Sequence, residues 1–395
     1  MTFVCDRNIC TGCGACRQAC PRQCISMQPD CEGFLRPQID MDQCVGCQKC
    51  RRICPALCSI RKDDFRQEAY AVQNKDSAVL SHSSSGGVAG TVTRRTLQDG
   101  GTVYGCIFDN CMVARHQRLT DISETGRLFG SKYVQSDIGD SYSQVKSDLN
   151  TGRSVTFFGT PCQVAGLYGY LENTNTSSLL TVELICHGVP SPALFAAYLR
   201  WKEDKLKEPI TDFSFRGKSR YGWNTAYILK TKTKTKTKEQ LSTLDPYYHD
   251  FMEAVNYREC CYQCAYASPD RLADLTIGDY WGIRQAHPEW EEKMHKGVSA
   301  LLVNTQRGKA FWDTIQDEFD WQESAFDKVS ARNGNLKHPS ARPLERDTYY
   351  QLLIETARFD GYARRFYHSP AYFRAKLKSL IPQQLKETVK KFIRR

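Results

Sequence analysis

Eight of the nineteen cysteines in this 395-residue sequence stand in two runs with the same spacing, C-x2-C-x2-C-x3-C-P. One tight loop with this spacing can supply three thiolates to the corners of a 4Fe-4S cube. In two-cluster proteins the fourth cysteine of each run crosses over to the other cluster. The sequence therefore predicts two 4Fe-4S clusters, one held by Cys10, Cys13, Cys16 and Cys54, the other by Cys20, Cys44, Cys47 and Cys50.

Zinc and disulfide bonds are the rival uses of these thiols. Zinc sites usually combine two C-x2-C pairs well apart, and four thiols in one run followed by proline do not follow that arrangement. The runs also form an internal repeat, because CTGCGACRQACPRQC from Cys10 recurs as CVGCQKCRRICPALC from Cys44. Each half is expected to build one cluster loop and one short helix. Cys24 and Cys58, at matching places beyond the runs, are interpreted as small buried residues.

Length and composition indicate a folded chain of two or three domains, with 41% apolar and 25% charged residues. The opening MTFVCDRNIC lacks the basic and apolar segments of a secretory signal, and no apolar run approaches the ~18 residues of a spanning helix. Cluster thiolates must stay reduced. We therefore expect a cytoplasmic protein.

The positive net charge is concentrated at the end of the sequence. Residues 361–395 carry ten Lys or Arg against Glu387, which is +9 of the overall +10. The rest of the chain is nearly neutral, and the tail lacks the interleaved aromatics of a nucleic-acid surface, so nucleic-acid binding is not expected. Two amphipathic helices are predicted within 371–395, one on each side of Pro382. They either pack on the body or lie on an anionic membrane surface, and peripheral contact with the inner face of the membrane is the alternative location.

Beyond the cluster runs, short apolar strands alternate with helices. GGTVYGCIF, SVTFFG and SLLTVELIC are predicted strands, whereas VAGTVTRRTLQ, SYSQVKSDLNTG and QVAGLYGYLEN are predicted helices. KTKTKTKTK, residues 230–238, is predicted to be one exposed edge strand with a cationic face. The expected fold class is α+β: a two-cluster ferredoxin-like module at 1–62, a mixed α/β domain in two parts at 68–150 and 151–330, and a helical basic tail at 331–395.

A second set of cysteines recurs in distinctive settings: GTPCQVAGL around Cys162, ELICHGVPSP around Cys186, and YRECCYQCAY around Cys261 and Cys264. With SSSGGVAG, GSKYVQS and RLADLTIGDYWG, these segments resemble the coenzyme F420 hydrogenase/dehydrogenase beta subunit family, which is similar to the 7-hydroxymethyl chlorophyll a reductases of plants. The resemblance runs from Cys10 to about Trp312. The basic tail lies outside it.

The resemblance implies an FAD-binding domain fed by iron-sulfur clusters. No G-x-G-x-x-G follows a predicted strand, so a Rossmann site is not indicated and the flavin must be held by other loops. The glycine-serine turn before the VAGTVTRRTLQ helix is suited to the FAD pyrophosphate, although such turns are often only flexible caps. The residues carried over as FAD-binding are Ser84, Ser85, Gly86, Gly87, Lys132, Gln135, Ser136, Thr160, Gln163 and Asp279.

The resemblance also suggests a third 4Fe-4S cluster. Its ligands would be Cys162, Cys186, Cys261 and Cys264, of which the last two have C-x2-C spacing. Cys260 stands where the family usually has a small residue, so Cys260 and Cys261 compete as the ligand. A redox-active disulfide or simple burial are the other uses of these thiols. His187, directly after Cys186, is a candidate proton donor beside the flavin, since its pKa lies near working pH.

The function that follows is a flavin and iron-sulfur oxidoreductase. Electrons would pass between the cluster module and FAD, and between FAD and a two-electron carrier such as a deazaflavin, or an organic substrate. The alternative is a non-catalytic electron-transfer subunit of a hydrogenase, dehydrogenase or membrane complex. A redox partner protein (ferredoxin, or a hydrogenase or dehydrogenase subunit) is expected in both cases, and assembly with identical chains is compatible with the sequence.

Overall fold

The computed structural model describes residues 3–58, 65–218, 222–223, 225–233 and 238–380. These residues form an α+β structure with three β-sheets, of two, three and eight strands. An N-terminal module precedes a mixed α/β domain, as the sequence predicts. Among the described helices, none is long and apolar enough to cross a membrane.

The strands are numbered in chain order: β1 (Ile25–Pro29), β2 (Leu35–Ile39), β3 (Glu68–Asn74), β4 (Thr102–Phe108), β5 (Ala114–Leu119), β6 (Val155–Gly159), β7 (Leu179–Leu184), β8 (Ile210–Ser214), β9 (Ala226–Thr231), β10 (Lys238–Leu241), β11 (Leu275–Asp279), β12 (Ser299–Val303) and β13 (Phe319–Ser324). The helices are α1 (Ala15–Ala19), α2 (Lys49–Arg52), α3 (Ser77–His82), α4 (Val88–Gln98), α5 (Ser141–Asn150), α6 (Pro161–Leu171), α7 (Pro192–Leu206), α8 (Pro246–Met252), α9 (Ile283–Ala286), α10 (Gln306–Ile315), α11 (Phe326–Ser330), α12 (Arg346–Thr356), α13 (Asp360–Tyr367) and α14 (Pro370–Leu380).

The N-terminal module is built from two similar halves. Each cysteine run forms a loop that ends in a short helix, α1 in the first half and α2 in the second. Strands β1 and β2 pair antiparallel between the halves. The module packs on the rest of the protein mainly through α1, which contacts α5 and α6.

The eight-stranded sheet has the order β13-β3-β12-β11-β7-β6-β4-β5. Its centre is parallel, because β11, β7, β6 and β4 run in the same direction, and antiparallel strands flank it on both sides. The strands and helices predicted between residues 88 and 184 are confirmed. Strands from both predicted parts, 68–150 and 151–330, pair within this one sheet. They therefore form one structural unit.

The Thr-Lys repeat is not a single strand. Strand β9 ends at Thr231, β10 begins at Lys238, and the two pair antiparallel with Lys238 opposite Leu229. Residues 234–237 lie outside the described residues. The edge-strand prediction was therefore wrong, because the chain turns within the repeat. Alternation of Thr and Lys suits either face of a small exposed sheet and carries no signal for where the chain reverses.

The segment predicted as a tail begins as part of the core. Tyr350 of α12, with Phe359 and Tyr362 around α13, is buried in a large aromatic cluster that includes Tyr198 and Tyr247. The Arg346 guanidinium also makes two hydrogen bonds of 2.8 Å to the Glu32 carboxylate of the N-terminal module. Only α14 has the predicted character of an exposed amphipathic tail. The second predicted helix, after Pro382, lies outside the described residues.

Candidate electron-transfer site

The first cluster site is a buried cavity inside the N-terminal module. Its lining includes the four thiols that the spacing assigns to one cluster, and its empty volume, partly open to solvent, is about 330 Å³. All four are buried. Gly12 and Gly14, with φ of +69° and +72°, give the loop the left-handed turns that aim several thiols inward. We call this cavity the inner cluster site, and its four thiols are Cys10, Cys13, Cys16 and Cys54.

The second cluster site lies at the surface. Cys47 is exposed, and Cys20, Cys44 and Cys50 are partly buried. Burial and the neighbouring thiols, Cys20 first, raise the pKa of Cys50, so these side chains lie close together. We call this the outer cluster site. Among the described residues, no three His, Cys, Asp or Glu side chains converge as ligands of a single metal ion. In both cluster sites the four thiols are spaced more widely than the ligands of a single metal ion.

Arg258 joins the inner cluster site to the large domain. Its guanidinium donates to the carbonyl of Cys10 at 2.8 Å, to the carbonyl of Leu35 at 3.1 Å and to the side-chain oxygen of Gln135 at 2.8 Å. It also lies 3.7 Å from Cys10 Sγ, and the residue is 0% exposed. A buried guanidinium needs a nearby negative charge. Thiolates bound to a 4Fe-4S cluster would supply it, which fits the predicted cofactor.

The second cysteine set also surrounds one cavity, of about 970 Å³. Cys162 lies in the first turn of α6, Cys186 follows β7, and Cys261 and Cys264 lie at the turn Glu259–Gln263. Strands β6 and β7 are parallel neighbours, so the segments that follow them meet at the same edge of the sheet. The structure therefore brings together all four predicted ligands. We call this space the thiol cavity.

A buried arginine faces the thiol cavity. Arg271 lines it and pairs with the buried carboxylate of Glu183, with Nε to Oε1 at 2.5 Å. Two further donations, to the carbonyls of Tyr266 and Ser268, use NH1. The remaining NH2 is buried and has no partner among the described atoms. This donor suits a negatively charged cluster, as Arg258 does at the inner cluster site.

Cys260 and His187 are placed differently from their neighbours. Cys260 is buried between the thiol cavity and the inner cluster site. Its pKa is lowered, first by the hydrogen bond with Cys261 and then by the charge of Arg258, although the nearby Cys10 opposes this. His187 lines the thiol cavity and is absent from the described lining of the large cleft at the carboxyl ends of β11, β7, β6 and β4. Burial lowers the pKa of His187. The structure thus places this histidine beside the candidate third cluster, because the chain after β7 turns toward α7 there.

A large cleft opens at the carboxyl ends of β11, β7, β6 and β4. It has an empty volume of about 1340 Å³, partly open to solvent, and its walls include the apolar side chains of Val88, Leu128, Phe129 and Ile277. Nine of the ten residues carried over as FAD-binding line it. They are Ser84, Ser85, Gly87, Lys132, Gln135, Ser136, Thr160, Gln163 and Asp279. We call it the cofactor cleft.

The tenth residue, Gly86, supports the cleft from behind. Its N–H donates to Ser299 Oγ at 2.8 Å, and a Cβ at this position would lie 2.2 Å from the Val72 carbonyl oxygen. Only glycine lets the turn lie this close to β3. Gly87 then begins α4 without a side-chain cap, and the first residues of that helix line the cleft. Uncapped N–H groups at a helix start suit a phosphate.

Lys132 lines the cleft, but its ammonium group is engaged in holding a loop. Nζ donates to the carbonyls of Leu128, Phe129 and Gly130 at 3.0–3.2 Å. Burial lowers the pKa of Lys132. Its direct role is therefore to fix the wall of the cleft. Cys106 also lines the cleft.

Asp279 is held by two residues that the sequence did not point to. Arg216 donates to both carboxylate oxygens, at 2.6 and 3.2 Å, and the Trp223 Nε1–H donates at 2.7 Å. Although burial lowers it, the pKa of Arg216 is raised overall, chiefly by Asp279. This locks the carboxylate in one orientation at the end of β11. The Arg216 guanidinium also packs over the Trp281 ring.

A chain of hydrogen bonds runs along the wall of the cleft opposite α4. Gln163 Nε2 donates to Ser136 Oγ at 2.9 Å, Ser136 Oγ lies 3.1 Å from His116 Nδ1, and His116 Nε2 lies 2.9 Å from the Phe158 carbonyl oxygen. Gln163 also completes a capping box with Thr160 at the start of α6. The network fixes which hydrogen-bonding groups face the cleft.

We expect His116 to make the free energy of unfolding smaller in acid than at neutral pH. Burial lowers the pKa of His116 to about 4, below its usual 6.5. Since the unfolded state then binds the proton first, stability falls as the pH drops from 6.5 towards 4, by at most about 1.4 kcal/mol per pH unit. Chemical denaturation at a series of pH values measures this. His116→Gln keeps an N–H donor and should flatten the curve in this window, and an unchanged slope would refute the assignment.

The inner cluster site, the thiol cavity and the cofactor cleft adjoin one another. The thiol cavity shares Thr160, Cys162 and Val189 with the cofactor cleft, and its opposite wall includes Asn8, Thr11 and Pro55 of the N-terminal module. Helix α6 links the sites directly, because a Cβ on Gly166 would lie 2.9 Å from Cys13 Sγ. Gly166 is one turn, or about 6 Å along the axis, from Cys162. The order in space is outer cluster site, inner cluster site, thiol cavity, cofactor cleft.

Sequence reasoning missed several residues of these sites. Arg258 stands two residues before Cys260 in YRECC, and Arg271 begins the RLADLTIGDYWG segment, so both could have been found as cations flanking cysteine motifs. Arg216 and His116 have no comparable signal. Each reaches its site only because a distant strand or loop packs there.

Comparisons with known proteins match two stretches of the chain. Residues 152–328 match the family model for the C-terminal part of the coenzyme F420 hydrogenase/dehydrogenase beta subunit, and residues 9–58 match the 4Fe-4S dicluster domain. Residues 59–151, which lie within the resemblance from Cys10 to Trp312, match neither model, whereas the first model continues past Trp312 to residue 328. A search of curated proteins finds no match. Among solved structures, the chain is similar to a chain of the xenon-derivatised F420-reducing NiFe hydrogenase complex from Methanosarcina barkeri, with a TM-score of 0.47, 14% identity, and coverage of 70% of this chain and 92% of that chain.

Proposed function

We propose that this protein is a flavin-dependent iron-sulfur oxidoreductase, because residues 152–328 match the model for the C-terminal part of the coenzyme F420 hydrogenase/dehydrogenase beta subunit and residues 9–58 match the 4Fe-4S dicluster domain. Electrons would pass between a protein partner and the outer cluster, through the inner cluster and a third cluster, to FAD. Continuity between the thiol cavity and the cofactor cleft carries this proposal.

The burial of the cluster sites supports this order. The outer site has an exposed ligand, Cys47, and exposed apolar neighbours at Met41 and Val45, which suits exchange with a docked redox partner. The inner site is buried, and Gly166 of α6 brings the large domain against Cys13. A carrier that meets only the surface would therefore exchange electrons first with the outer cluster.

The cofactor cleft suits FAD in three respects. Its volume and apolar walls fit a large planar ring system. The start of α4 offers uncapped N–H groups for a pyrophosphate. Thr160 and Gln163, at the start of α6, lie on the wall nearest the thiol cavity. When bound, FAD would supply the step between one-electron clusters and a two-electron carrier or organic substrate.

A non-catalytic electron-transfer subunit is the second candidate function. The surface position of the outer cluster site favours it, since a member of a larger assembly needs such a contact. The two candidates differ in the cofactor cleft. An enzyme must bind flavin there and leave room for a substrate, whereas a pure relay needs only the clusters.

Flavin analysis tests the proposal. Protein purified without oxygen is expected to hold one FAD per chain, and Gly86→Ala is expected to lose most of it because the new Cβ would collide with the Val72 carbonyl. Such overpacking should also cost about 1–3 kcal/mol of stability. Absorption spectra of the native and acid-released flavin measure the first outcome, and chemical denaturation measures the second.

Gly126→Ala is the matched control. A Cβ there meets nothing within 4 Å, and Gly126 lies in the loop beside the same cleft. This variant should keep its flavin. If the unaltered protein holds iron but no flavin under these conditions, the enzyme proposal fails and the relay function stands.

We also propose that the basic tail binds an anionic membrane surface. In α14 the apolar side chains of Phe373, Leu377 and Leu380 are 54%, 66% and 72% exposed, although they share one face. They lie among cations within the segment 361–395, which has a net charge of +9. An exposed apolar stripe flanked by cations is typical of helices that lie in an anionic membrane interface.

Replacing Phe373, Leu377 and Leu380 together with serine should weaken binding to phosphatidylglycerol vesicles. Loss of about 1 kcal/mol for each side chain predicts roughly 100-fold weaker partitioning. Co-sedimentation measures it. Leu344→Ser, at a residue that is 94% exposed and lies outside α14, is the control and should bind as before. Equal binding by the triple variant would remove the tail from membrane contact.

A further inference from the structure

The fourth cysteine of each run has an additional thiol beside it. Cys24 Sγ lies 3.4 Å from Cys20 Sγ and within hydrogen-bonding reach of Cys44. Cys5 lies within hydrogen-bonding reach of Cys54 and Cys10, and it lines the inner cluster site. Each set of four predicted ligands therefore has a fifth thiol in contact with two of its members.

The internal repeat accounts for only part of this arrangement. Cys58 is the counterpart of Cys24 in the second half, but it is exposed, and its Sγ lies 3.0 Å from the Arg52 carbonyl oxygen. Cys5, which precedes the first run, takes the place beside Cys54 instead. Two positions unrelated by the repeat thus bring a thiol to the equivalent ligand in each half.

Backbone donors at the same two ligands do follow the repeat. The backbone N–H groups of residues 22–24 lie near the Cys20 sulfur, and those of Ala56 and Leu57 lie near the Cys54 sulfur. The extra thiols therefore add a donor to sulfurs that already face several backbone N–H groups. Such bonds to ligand sulfurs are among the features that set the potential of an iron-sulfur cluster.

We propose that Cys24 and Cys5 donate S–H···S hydrogen bonds to the ligand thiolates Cys20 and Cys54, and that these bonds raise the reduction potentials of the outer and inner clusters. A cluster-bound thiolate has no proton, so the uncommitted thiol must be the donor. It keeps its proton because a second negative charge beside the cluster would be disfavoured. One-electron reduction makes the ligand sulfurs more negative and strengthens the bond, which favours the reduced state.

The proposal rests on the dicluster domain and needs no flavin, so it can fail or succeed independently of the enzyme proposal. The test is a redox titration of the anaerobic full-length protein, followed by electron paramagnetic resonance of the reduced clusters. Cys24→Ala should lower one midpoint potential and Cys5→Ala the other. If the bond is about 1 kcal/mol stronger in the reduced state, its loss lowers the reduced-to-oxidised ratio about fivefold at fixed potential, which is a shift of about 40 mV at 59 mV per tenfold.

Cys58→Ala is the matched control, since this thiol faces the Arg52 carbonyl, and both midpoints should stay in place. Cys24→Ser and Cys5→Ser keep a hydroxyl donor and should recover part of each shift. Unchanged midpoints in both alanine variants would overturn the proposal, as would shifts of the same midpoint by both. Loss of about four iron atoms from the alanine and serine variants alike would show a ligand rather than a donor, and would also overturn it.

Discussion

Arg258→Met is expected to prevent stable assembly of the inner cluster, with loss of about four iron atoms per chain. Methionine roughly preserves the length of the side chain but removes every donor. The carbonyls of Cys10 and Leu35 and the Gln135 side chain would then lose buried hydrogen bonds. Unpaired buried groups cost about 1–3 kcal/mol each, so we expect a total of about 3–5 kcal/mol. The cluster would also lose its buried counter-charge.

Iron and sulfide analysis, together with the apparent unfolding temperature, measures this effect. Arg342→Met is the control, because Arg342 pairs with Glu259 in the same region but is only partly buried. It should retain all its iron and lose less than about 1 kcal/mol. Arg258→Lys keeps the charge but cannot reach three acceptors at once, and should fall between the two. Full iron content in Arg258→Met would exclude this role.

Cys162→Ser is expected to remove the third cluster while leaving the dicluster domain intact. Iron should fall from about twelve to about eight atoms per chain. When electrons are delivered at the cluster module, the bound flavin should be reduced at least roughly 10–100-fold more slowly. Loss of a residue that only supports a metal ligand already has an effect of this size. Cys162 belongs to both the thiol cavity and the cofactor cleft, so its loss interrupts the path at their junction.

Iron analysis and rapid-mixing spectroscopy of the flavin band test this prediction. Cys106→Ser is the matched control, because Cys106 lines the cofactor cleft but not the described thiol cavity. It should keep about twelve iron atoms. About eight iron atoms in the unaltered protein as well as in Cys162→Ser would show that the second cysteine set holds no cluster. The path would then run from the inner cluster to the flavin by another route.

Local spacing made much of the site predictable. The two cysteine runs determine a loop, a short helix and a crossover ligand without reference to the rest of the chain, because all but one ligand of each cluster lies within seven residues. Resemblance of short motifs was enough to select nine residues that line the cofactor cleft. Most of these motifs lie at the end of a parallel strand or the start of a helix, and the fold gathers such ends at one edge of the sheet, where the loop with Lys132, Gln135 and Ser136 joins them.

Other features depended on contacts between distant segments. His187 follows Cys186 directly, yet the turn after β7 places it in the thiol cavity. The sequence predicts residues 346–367 to be part of the tail, but their aromatic side chains complete a hydrophobic core formed by α7 and α8. The repeat predicted equivalent roles for Cys24 and Cys58, whereas only Cys24 contacts a predicted ligand.

The cysteine spacing is enough to predict two cluster loops and the thiols expected in each, and apolar periodicity predicts the strands and helices between residues 88 and 184. Only contacts between distant segments bring Arg258 beside Cys10 and turn Arg271 towards the thiol cavity. The reason is physical. Spacing along the chain specifies ligands that share a loop, whereas the buried charges and donors around a cluster come from segments that meet only when the large sheet and the N-terminal module pack together.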